Sequence, residues 1–236
     1  MHNLWLIPLF PLAGFAINGL LGRRFSKTVI NTVAVGSVVL SFLWVLKALS
    51  ALAPLNEKYV EHYFTWIASG AVNIGFDFAV DRLTAIMLLV VTGIGSLIHV
   101  YATGYMAHEG GYYRFFAYLN LFMFFMLTLV LGGNYLLLFV GWEGVGLCSY
   151  LLIGFYFLKK SASDAGKKAF IVNRIGDLGF SLAMFLIFAA FANTLLKSSD
   201  PKVAKIRNIA KLKPRSPIRL TMNAFLPASE ALFFKK

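Results

Sequence analysis

The stretch Gly141-Trp-Glu-Gly-Val-Gly-Leu-Cys-Ser-Tyr-Leu-Leu-Ile-Gly-Phe155 places one carboxylate, Glu143, inside an apolar run long enough to cross a lipid bilayer. An acidic side chain at the centre of a membrane helix costs about 2.5 to 3.5 kcal/mol on insertion scales. Such a residue normally faces the protein interior or a hydrated cavity, and it marks an ion or proton pathway. Glu143 is therefore the first candidate for a functional residue.

The composition extends this interpretation to the whole chain. Its 236 residues are 59% hydrophobic and 14% charged, and several apolar runs reach the ~20 residues that cross a hydrocarbon core of ~30 Å. These runs are too continuously apolar for barrel strands, which alternate between lipid and lumen. The sequence predicts an all-α, polytopic membrane helix bundle of about six transmembrane helices, with spans at residues 4–21, 28–46, 78–101, 115–131, 135–158 and 169–192.

The distribution of Lys and Arg orients these helices, because the cytoplasmic loops of membrane proteins are enriched in positive charge. The basic residues at 23–27 and at 159–168 predict two cytoplasmic connections, and the acidic segment 56–77 is then external. The N-terminus also lies outside in this scheme. Because no Lys or Arg precedes the first apolar run, we expect the first helix to be retained rather than cleaved as a signal peptide.

The end of the chain departs from this pattern. Residues 197–236 carry ten Lys or Arg against Asp200 and Glu230, which is +8 of the total net charge of +12. The scheme places this basic tail outside, so it marks a compositional break near Asn193. Two interpretations stay open for the tail, a short basic amphipathic helix over residues 202–213 and a frame-shifted or prematurely ended product. Without the tail the charge is spread thinly, and no aromatic-basic pattern predicts a nucleic-acid partner.

The surroundings of Glu143 favour a function. With a helix start near Asn134, Glu143 lies about nine residues in, or ~14 Å along the axis and close to the bilayer midplane. Gly141, Gly144 and Gly146 allow neighbouring backbones to approach closely, and they can leave room for water beside the carboxylate. The alternative is a glycine packing face that carries an incidental acid.

The sixth span supplies two further charged residues. In Asn173-Arg-Ile-Gly-Asp177, Arg174 and Asp177 are three residues apart and share one helix face. They can pair with each other and adjust the protonation of Glu143 on the adjacent helix. A static ion pair that fixes helix packing is the alternative.

Other polar residues have ordinary explanations. Asp81 is expected to be stabilised at the start of the third helix. His99 is expected to be an interfacial histidine near a helix end, with a proton relay as the alternative. Trp142 is expected to be an interfacial or packing aromatic. The single cysteine, Cys148, allows neither an intrachain disulfide nor the C-x-x-C patterns that bind metals. We therefore expect no metal and no cofactor in this chain, and no motif of a soluble enzyme is present.

Five stretches of the sequence occur in this order: Phe78-Ala-Val-Asp-Arg-Leu-Thr-Ala-Ile-Met87, Leu97-Ile-His-Val-Tyr-Ala-Thr-Gly-Tyr-Met106, Arg114-Phe-Phe-Ala-Tyr-Leu-Asn-Leu-Phe122, the Gly141 to Phe155 stretch, and Asn173-Arg-Ile-Gly-Asp177. Over about residues 1–192 they resemble the subunit L family of the bacterial NADH-quinone oxidoreductase, respiratory complex I, whose mitochondrial counterpart is chain five. The tryptophan-glutamate stretch favours this family over the two other antiporter-like subunits.

The resemblance implies a proton-translocating membrane subunit, part of a proton-pumping NADH:quinone oxidoreductase, located in the bacterial inner membrane. Glu143 matches the protonatable glutamate of the family, which works with a lysine on the seventh helix. Arg174 and Asp177 match a polar pair beside the entry half-channel. The implied partners are the lipid bilayer and other complex I membrane subunits, especially the neighbouring antiporter-like subunit. NADH, FMN, iron-sulfur clusters and quinone would bind in partner subunits.

The chain leaves the family pattern near Phe191, and the partner lysine lies beyond that point. We therefore expect this chain alone to be inactive as a pump. The expected organisation is two N-terminal helices and the start of an external loop (1–62), an N-terminal chain-five domain (63–114), a partial proton-antiporter domain (115–192) and a divergent basic tail (193–236). Two alternatives stay open, a subunit of a multisubunit sodium/proton antiporter and a membrane protein that only packs against other subunits.

Overall fold

The computed structural model describes residues 3–53, 57–69 and 72–197. The elements are α1 (Leu6–Leu21), a 3₁₀ turn (Gly22–Arg24), α2 (Lys27–Leu52), β1 (Tyr59–Ser69), β2 (Val72–Val80), α3 (Arg82–Tyr105), α4 (Tyr112–Leu131), α5 (Tyr135–Ile153) and α6 (Lys160–Lys197). Within the described residues six helices are long and apolar enough to span a membrane. The predicted helical membrane fold is therefore confirmed, whereas the predicted helix at 202–213 lies outside the described residues.

Polar side chains fix where three of the helices begin. The residue before each helix accepts a hydrogen bond from a backbone N–H of the first turn, which would otherwise lack a partner. These contacts join Ser26 to Val29, Asp81 to Thr84 and Asn134 to Leu137. The Thr84 amide also lowers the pKa of the Asp81 carboxyl. The interpretation of Asp81 as a carboxylate that stabilises a helix start is confirmed.

Several predicted helix boundaries are wrong. The third span does not start at Phe78, because residues 78–80 end strand β2 and the Asp81 cap starts the helix one residue later. A short apolar run does not distinguish a buried strand from a helix. Helix α5 ends at Ile153 instead of continuing to residue 158, and α6 begins at Lys160. The first turns of α6 are polar, so hydropathy alone does not detect them.

The segment between α2 and α3 contains a two-stranded sheet that the sequence pattern does not predict. Strands β1 and β2 pair with each other across a two-residue connection, which requires an antiparallel hairpin. The hairpin also contacts the connection between α4 and α5. There the Gly133 N–H donates to the Asp77 carbonyl at 2.8 Å, and the Asn134 side chain donates to the Gly75 carbonyl at 2.7 Å.

A buried carboxylate joins the hairpin to the start of α1. Glu61 is 3% exposed, and it accepts hydrogen bonds from the backbone N–H groups of Asn3 at 3.2 Å and Leu4 at 2.8 Å. The Tyr63 hydroxyl donates to the same carboxylate at 2.6 Å. The pKa of the Tyr63 phenol is raised, mainly by burial and secondly by the hydrogen bond to the Glu61 carboxylate. The hairpin is thus held to the helix bundle by hydrogen bonds to a charged group, which are stronger than neutral ones.

The packed helices contain two apolar clusters with a polar layer between them. Along α2, Ile30 and Ala34 belong to one cluster and Val38 and Val45 to the other. Ser37 lies between these two groups on α2. The same order holds on α4, where Asn120 lies between Phe116 of the first cluster and Met123 of the second. The middle of the bundle is therefore the place where helices contact each other through polar groups.

His99 is the centre of this polar layer, so its interpretation as an interfacial residue is wrong. The side chain is 1% exposed. Its Nδ1 lies 2.8 Å from the Gly95 carbonyl, and its Nε2 lies 2.9 Å from the amide of Asn120. That amide also contacts the Ser37 hydroxyl at 3.3 Å. The Gly95 carbonyl and Oδ1 of Asn120 both accept hydrogen bonds, so a neutral ring with its one proton on Nδ1 requires the Asn120 amide to present its NH₂ group to Nε2.

The structure divides into two units. Among the described residues, the first contains 3–53, 57–66 and 74–179. All five helices before α6 belong to the first unit, together with the part of α6 up to Gly179. The described part of the second unit consists of the hairpin end, residues 67–69 and 72–73, and residues 180–197 of α6.

We predict that Glu61→Gln loosens the hairpin from α1. A neutral amide accepts weaker hydrogen bonds, and its NH₂ group repels the N–H donors of Asn3 and Leu4. Backbone hydrogen exchange at residues 3–5 and 59–63 should become faster in the purified chain. Glu57→Gln is the control, because Glu57 is exposed. Equal exchange in both variants would contradict the proposed role of Glu61.

We predict that Gly14→Ala destabilises the bundle by about 1 to 3 kcal/mol, the usual cost of overpacking. A Cβ atom at Gly14 would lie 2.3 Å from Nδ2 of Asn120 and 2.5 Å from Oγ of Ser37, so it would displace the polar layer. The control is Gly36→Ala, since no heavy atom lies within 4 Å of a Cβ there. Thermal unfolding in detergent measures the stability of both variants. An equal loss of stability in Gly14→Ala and Gly36→Ala would exclude this explanation.

Candidate functional site

Helix α5 packs against α4 through a stripe of small and apolar residues. Leu137, Gly141, Gly144 and Cys148 are buried at spacings of three and four, which is one helix face. A Cβ atom at Gly141 would lie 2.6 Å from the Leu129 backbone, and one at Gly144 would lie 2.1 Å from the Phe125 ring. These glycines therefore serve close helix packing, and they do not leave room for water.

A second face of α5 packs against α6. The contacts along it pair Trp142 with Asp177, Glu143 with Arg174, Gly146 with Asn173, Tyr150 with Phe170, and Gly154 with Gly166. Along this series of contacts the residue numbers rise on α5 and fall on α6, so the two helices run antiparallel. The glycine stripe fixes α5 on α4, and this leaves Glu143 facing α6.

The three predicted charged residues come together at this interface. Arg174 Nη1 lies 2.7 Å from Glu143 Oε2 and 3.4 Å from Asp177 Oδ2. The side chains of Glu143 and Arg174 are 27% and 42% exposed, whereas that of Asp177 is 10% exposed. Glu143 is the ninth of the nineteen residues of α5, which places this charge cluster at mid-helix. Arg174 therefore contacts Glu143 more closely than its neighbour on α6.

Asp177 has one strong hydrogen bond and one weaker electrostatic contact. The indole N–H of Trp142 donates to its Oδ1 at 2.8 Å. Its Oδ2 is buried without a hydrogen bond, because the 3.4 Å separation from Arg174 lacks hydrogen-bond geometry. A buried carboxylate oxygen without a donor is costly and is a natural place for a proton or a water.

The charges of the cluster do not cancel. Two ionised carboxylates and one guanidinium sum to −1, and Arg stays protonated in proteins. Electrostatic interactions are strong where water is scarce, so an uncompensated charge in a membrane is expensive. One proton bound to either carboxylate makes the cluster neutral. The arrangement is chemically able to bind and release a proton between Glu143 and Asp177.

The sequence identifies the three charged members of this cluster but does not reveal the contact that Trp142 makes with Asp177. Its interpretation as an interfacial or packing aromatic is incomplete, because the indole donates to Asp177. The available signal was the indole N–H itself, which needs an acceptor when it lies next to an intramembrane acid.

Among residues 3–53, 57–69 and 72–197, no three His, Cys, Asp or Glu side chains are grouped so that they could hold a metal ion.

Two family models match the chain. The model for NADH-Ubiquinone oxidoreductase (complex I), chain 5 N-terminus, matches residues 66–116. The model for NADH:quinone oxidoreductase/Mrp antiporter, TM, matches residues 132–213. Together they match more than half of the chain, and the second includes all three residues of the charge cluster.

Solved structures share the fold. The Mrp complex from Dietzia sp. DQ12-45-1b contains a chain with a TM-score of 0.64 and 24% identity, matched over 87% of this chain and 22% of that one. An archaeal respiratory complex, the membrane-bound sulfane sulfur reductase, contains a chain with a TM-score of 0.64 and 18% identity, matched over 79% of this chain and 28% of that one. At these identities the similarity concerns the fold alone.

Curated relatives are more similar in sequence. NADH-quinone oxidoreductase subunit L of Neisseria meningitidis serogroup A is 45% identical over 194 residues, which is 80% of this chain and 28% of that protein. The Escherichia coli K12 subunit L is 46% identical over 189 residues, 80% of this chain and 31% of that protein. NADH-ubiquinone oxidoreductase chain 5 of Rhizopus stolonifer is 42% identical over 183 residues, which is 78% of this chain and 28% of that protein.

The chain therefore spans less than a third of the length of these relatives. Both family models and the identities of 42 to 46% place it in one group of proteins. The chain belongs to the family of NADH-quinone oxidoreductase subunit L and its chain 5 relatives.

Proposed function

We propose that this chain contributes part of the proton path of a proton-translocating NADH-quinone oxidoreductase, with Glu143 as the proton-carrying group. The observation that supports this proposal is the cluster of two carboxylates and one guanidinium at the middle of the α5–α6 interface. A cluster with one uncompensated charge at that depth binds a proton with a gain in electrostatic energy. Glu143 is more exposed than Asp177, so it is the carboxylate better placed to exchange that proton.

Arg174 couples the protonation of Glu143 to its own position. When Glu143 is ionised, the guanidinium stays at the 2.7 Å contact. When Glu143 takes up a proton, its attraction for the guanidinium falls, and Asp177 at 3.4 Å becomes the stronger partner. The Arg174 side chain is 42% exposed and is free to make this small movement. Proton uptake thus moves a positive charge along α6.

Trp142 keeps Asp177 in place during this exchange. The indole is a rigid donor, and it holds one carboxylate oxygen at 2.8 Å from the α5 side. Without that contact, Asp177 could rotate toward Arg174 and hold it permanently. Trp142 therefore acts as a positioning residue, and Glu143 and Asp177 are the groups that hold protons.

The rest of the proposed function concerns other subunits. Energy would come from electron transfer between NADH and quinone in partner subunits, which would hold NADH, FMN, iron-sulfur clusters and quinone. The partners would be other membrane subunits, including the neighbouring antiporter-like subunit, in a bacterial inner membrane. Within the chain we propose an N-terminal family domain at 63–114 and a partial antiporter domain at 115–192.

A subunit of a multisubunit cation/proton antiporter is the second candidate function. The family model that matches residues 132–213 includes Mrp antiporters in its description. In that case the same carboxylates would exchange protons for sodium. An oxidoreductase subunit should copurify with NADH-oxidising proteins, whereas an antiporter subunit should support growth in high sodium.

We predict that Glu143→Gln lowers NADH-driven proton uptake in membrane vesicles of the source bacterium and leaves complex assembly on native gels unchanged. The amide cannot bind and release a proton, but it keeps the size of the side chain. Asp164→Asn is the control, because Asp164 is an exposed acid in the first turns of α6.

Unchanged proton uptake with unchanged assembly would favour the alternative in which the cluster only packs helices. Loss of uptake in both variants would show that the effect is not specific to Glu143. Failure of this chain to copurify with NADH-oxidising subunits would contradict membership of the complex.

We predict that Trp142→Phe lowers stability by about 1.5 to 3 kcal/mol, the usual value of a hydrogen bond to a charged group. The same substitution in an Asp177→Asn background should cost less, and the difference measures the coupling between the two residues. The pH dependence of proton uptake should also shift in Trp142→Phe, because Asp177 is no longer fixed. Trp66→Phe, on the hairpin, is the control. If the effects of Trp142→Phe and Asp177→Asn on stability are additive, and the pH profile of proton uptake is unchanged, Trp142 has a packing role only.

A further inference from the structure

A cavity of about 170 Å³ lies where the beginning of α4 meets the end of α5 and the beginning of α6. Its lining includes Arg114, the hydroxyl-bearing residues Tyr118, Tyr150 and Ser163, and the rings of Phe155 and Phe157. A water molecule takes up about 30 Å³, so the cavity has room for a larger polar group. Its lining residue Tyr150 lies seven residues, about two helix turns, from Glu143 on α5, and the proposed proton path does not use the cavity.

Arg114 is held at this cavity by aromatic rings rather than by an acid. Its guanidinium carbon lies 5.2 Å from the centre of the Phe155 ring and 5.2 Å from that of Phe157. Among the ion pairs of the described residues, none involves Arg114. Ring faces attract the cation but accept few of its N–H donors. Arg114 thus brings to the cavity a positive charge that no carboxylate of the described residues neutralises.

The backbone is built to place this side chain. Gly111, the residue before α4, has a positive φ of 76°. A Cβ atom there would lie 3.2 Å from Nη2 of Arg114, so a larger residue would be strained and would crowd the guanidinium.

The surrounding charge favours an anion. The loops and adjoining helix turns on this side, residues 22–27, 106–114 and 154–168, contain eight Lys or Arg against Glu109 and Asp164. The loops and adjoining helix turns at the other end, residues 47–82 and 132–134, contain three Lys or Arg against four acidic residues. This asymmetry assigns the cavity to the cytoplasmic side, where anionic lipids attract basic segments.

Neighbouring apolar side chains point to a lipid as the source of the anion. Phe157, which lines the cavity, and Leu158, the next residue, lie in the α5–α6 connection and are 56% and 89% exposed. Exposed apolar side chains at the edge of a membrane helix contact acyl chains. A phosphate bound at Arg114 would therefore carry its acyl chains past Phe157 and Leu158. A free phosphate ion would gain nothing from these two side chains.

We propose that this cavity binds the phosphate group of an anionic phospholipid from the cytoplasmic leaflet. Arg114 donates hydrogen bonds to the phosphate oxygens, and the hydroxyls of Tyr118, Tyr150 and Ser163 are available to the remaining oxygens. Basic pockets between membrane helices on this side are a recognised setting for such headgroups. The bound lipid would fill the space between α4 and α6 and hold the two helix ends together.

The test is native mass spectrometry of the full chain in detergent, titrated separately with phosphatidylglycerol, phosphatidylcholine and inorganic phosphate. We expect one phosphatidylglycerol to bind more tightly than phosphatidylcholine. Arg114→Gln should weaken this binding by about tenfold or more, as expected for loss of charged hydrogen bonds. Arg24→Gln is the matched control, because it removes the same charge from the same side and should leave this binding nearly unchanged.

A second pair of variants distinguishes the contribution of the cavity's space to lipid binding from that of the Arg114 charge. Ser163→Phe fills the cavity and keeps Arg114, so it should weaken phosphatidylglycerol binding as well. Ser161→Phe adds the same ring at an exposed position in the same turn and should not. Helical circular dichroism establishes that each variant is folded before it is titrated.

Three results would overturn the proposal. Equal weakening by Arg114→Gln and Arg24→Gln would indicate diffuse attraction to the basic surface. Inorganic phosphate that competes as well as the lipid does would indicate a site for a soluble anion. Equal binding of phosphatidylglycerol and phosphatidylcholine by the unmodified chain would exclude an anion-selective lipid site.

Discussion

The contact between Arg174 and Glu143 is the constraint on which much of the structure depends. Two charged side chains at mid-helix are tolerable in a membrane only when they face each other. That requirement fixes the rotation of α5 and of α6 about their axes. The opposite requirement, an apolar face toward α4, is met by Leu137, Gly141, Gly144 and Cys148. One helix thus carries a dry packing face and a charged face about a quarter to a half turn apart.

The bundle formed by α1 to α4 treats its buried polar groups differently. His99, Asn120 and Ser37 form a contact chain of neutral groups between two apolar clusters. Their hydrogen bonds fix how the helices pack, and no net charge has to be neutralised. The chain therefore contains two kinds of polar site in the membrane. The neutral one joins α2, α3 and α4, and the charged one, at which we propose proton exchange, joins α5 and α6.

The two ends of the bundle are also chemically distinct. At one end a β-hairpin contacts the start of α1 through the buried Glu61. At the opposite end the connections are short and basic, and the α5–α6 connection lines the cavity at Arg114 with aromatic rings. At one end the acid Glu61 binds backbone N–H groups of the chain itself, whereas at the other end Arg114 has no acidic partner among the ion pairs of the described residues. This difference follows the charge asymmetry that orients the helices.

The sequence by itself determined the helical membrane fold, the six apolar helices and the three charged residues of α5 and α6. Long apolar runs and intramembrane charges are strong local signals, because their cost in lipid leaves few alternatives. Local signals did not reveal the hairpin, since its strands alternate weakly and its partners Asn3 and Leu4 are more than fifty residues away.

Only the tertiary structure decided which groups meet. The spacing of Arg174 and Asp177 predicted their pairing, but the packing of α5 on α6 brings Arg174 closer to Glu143. Trp142 and His99 had ordinary explanations as isolated residues, and each became a hydrogen-bond partner only when a second helix supplied Asp177 or Asn120. A sequence specifies which groups are costly to bury, whereas their partners depend on contacts between distant segments.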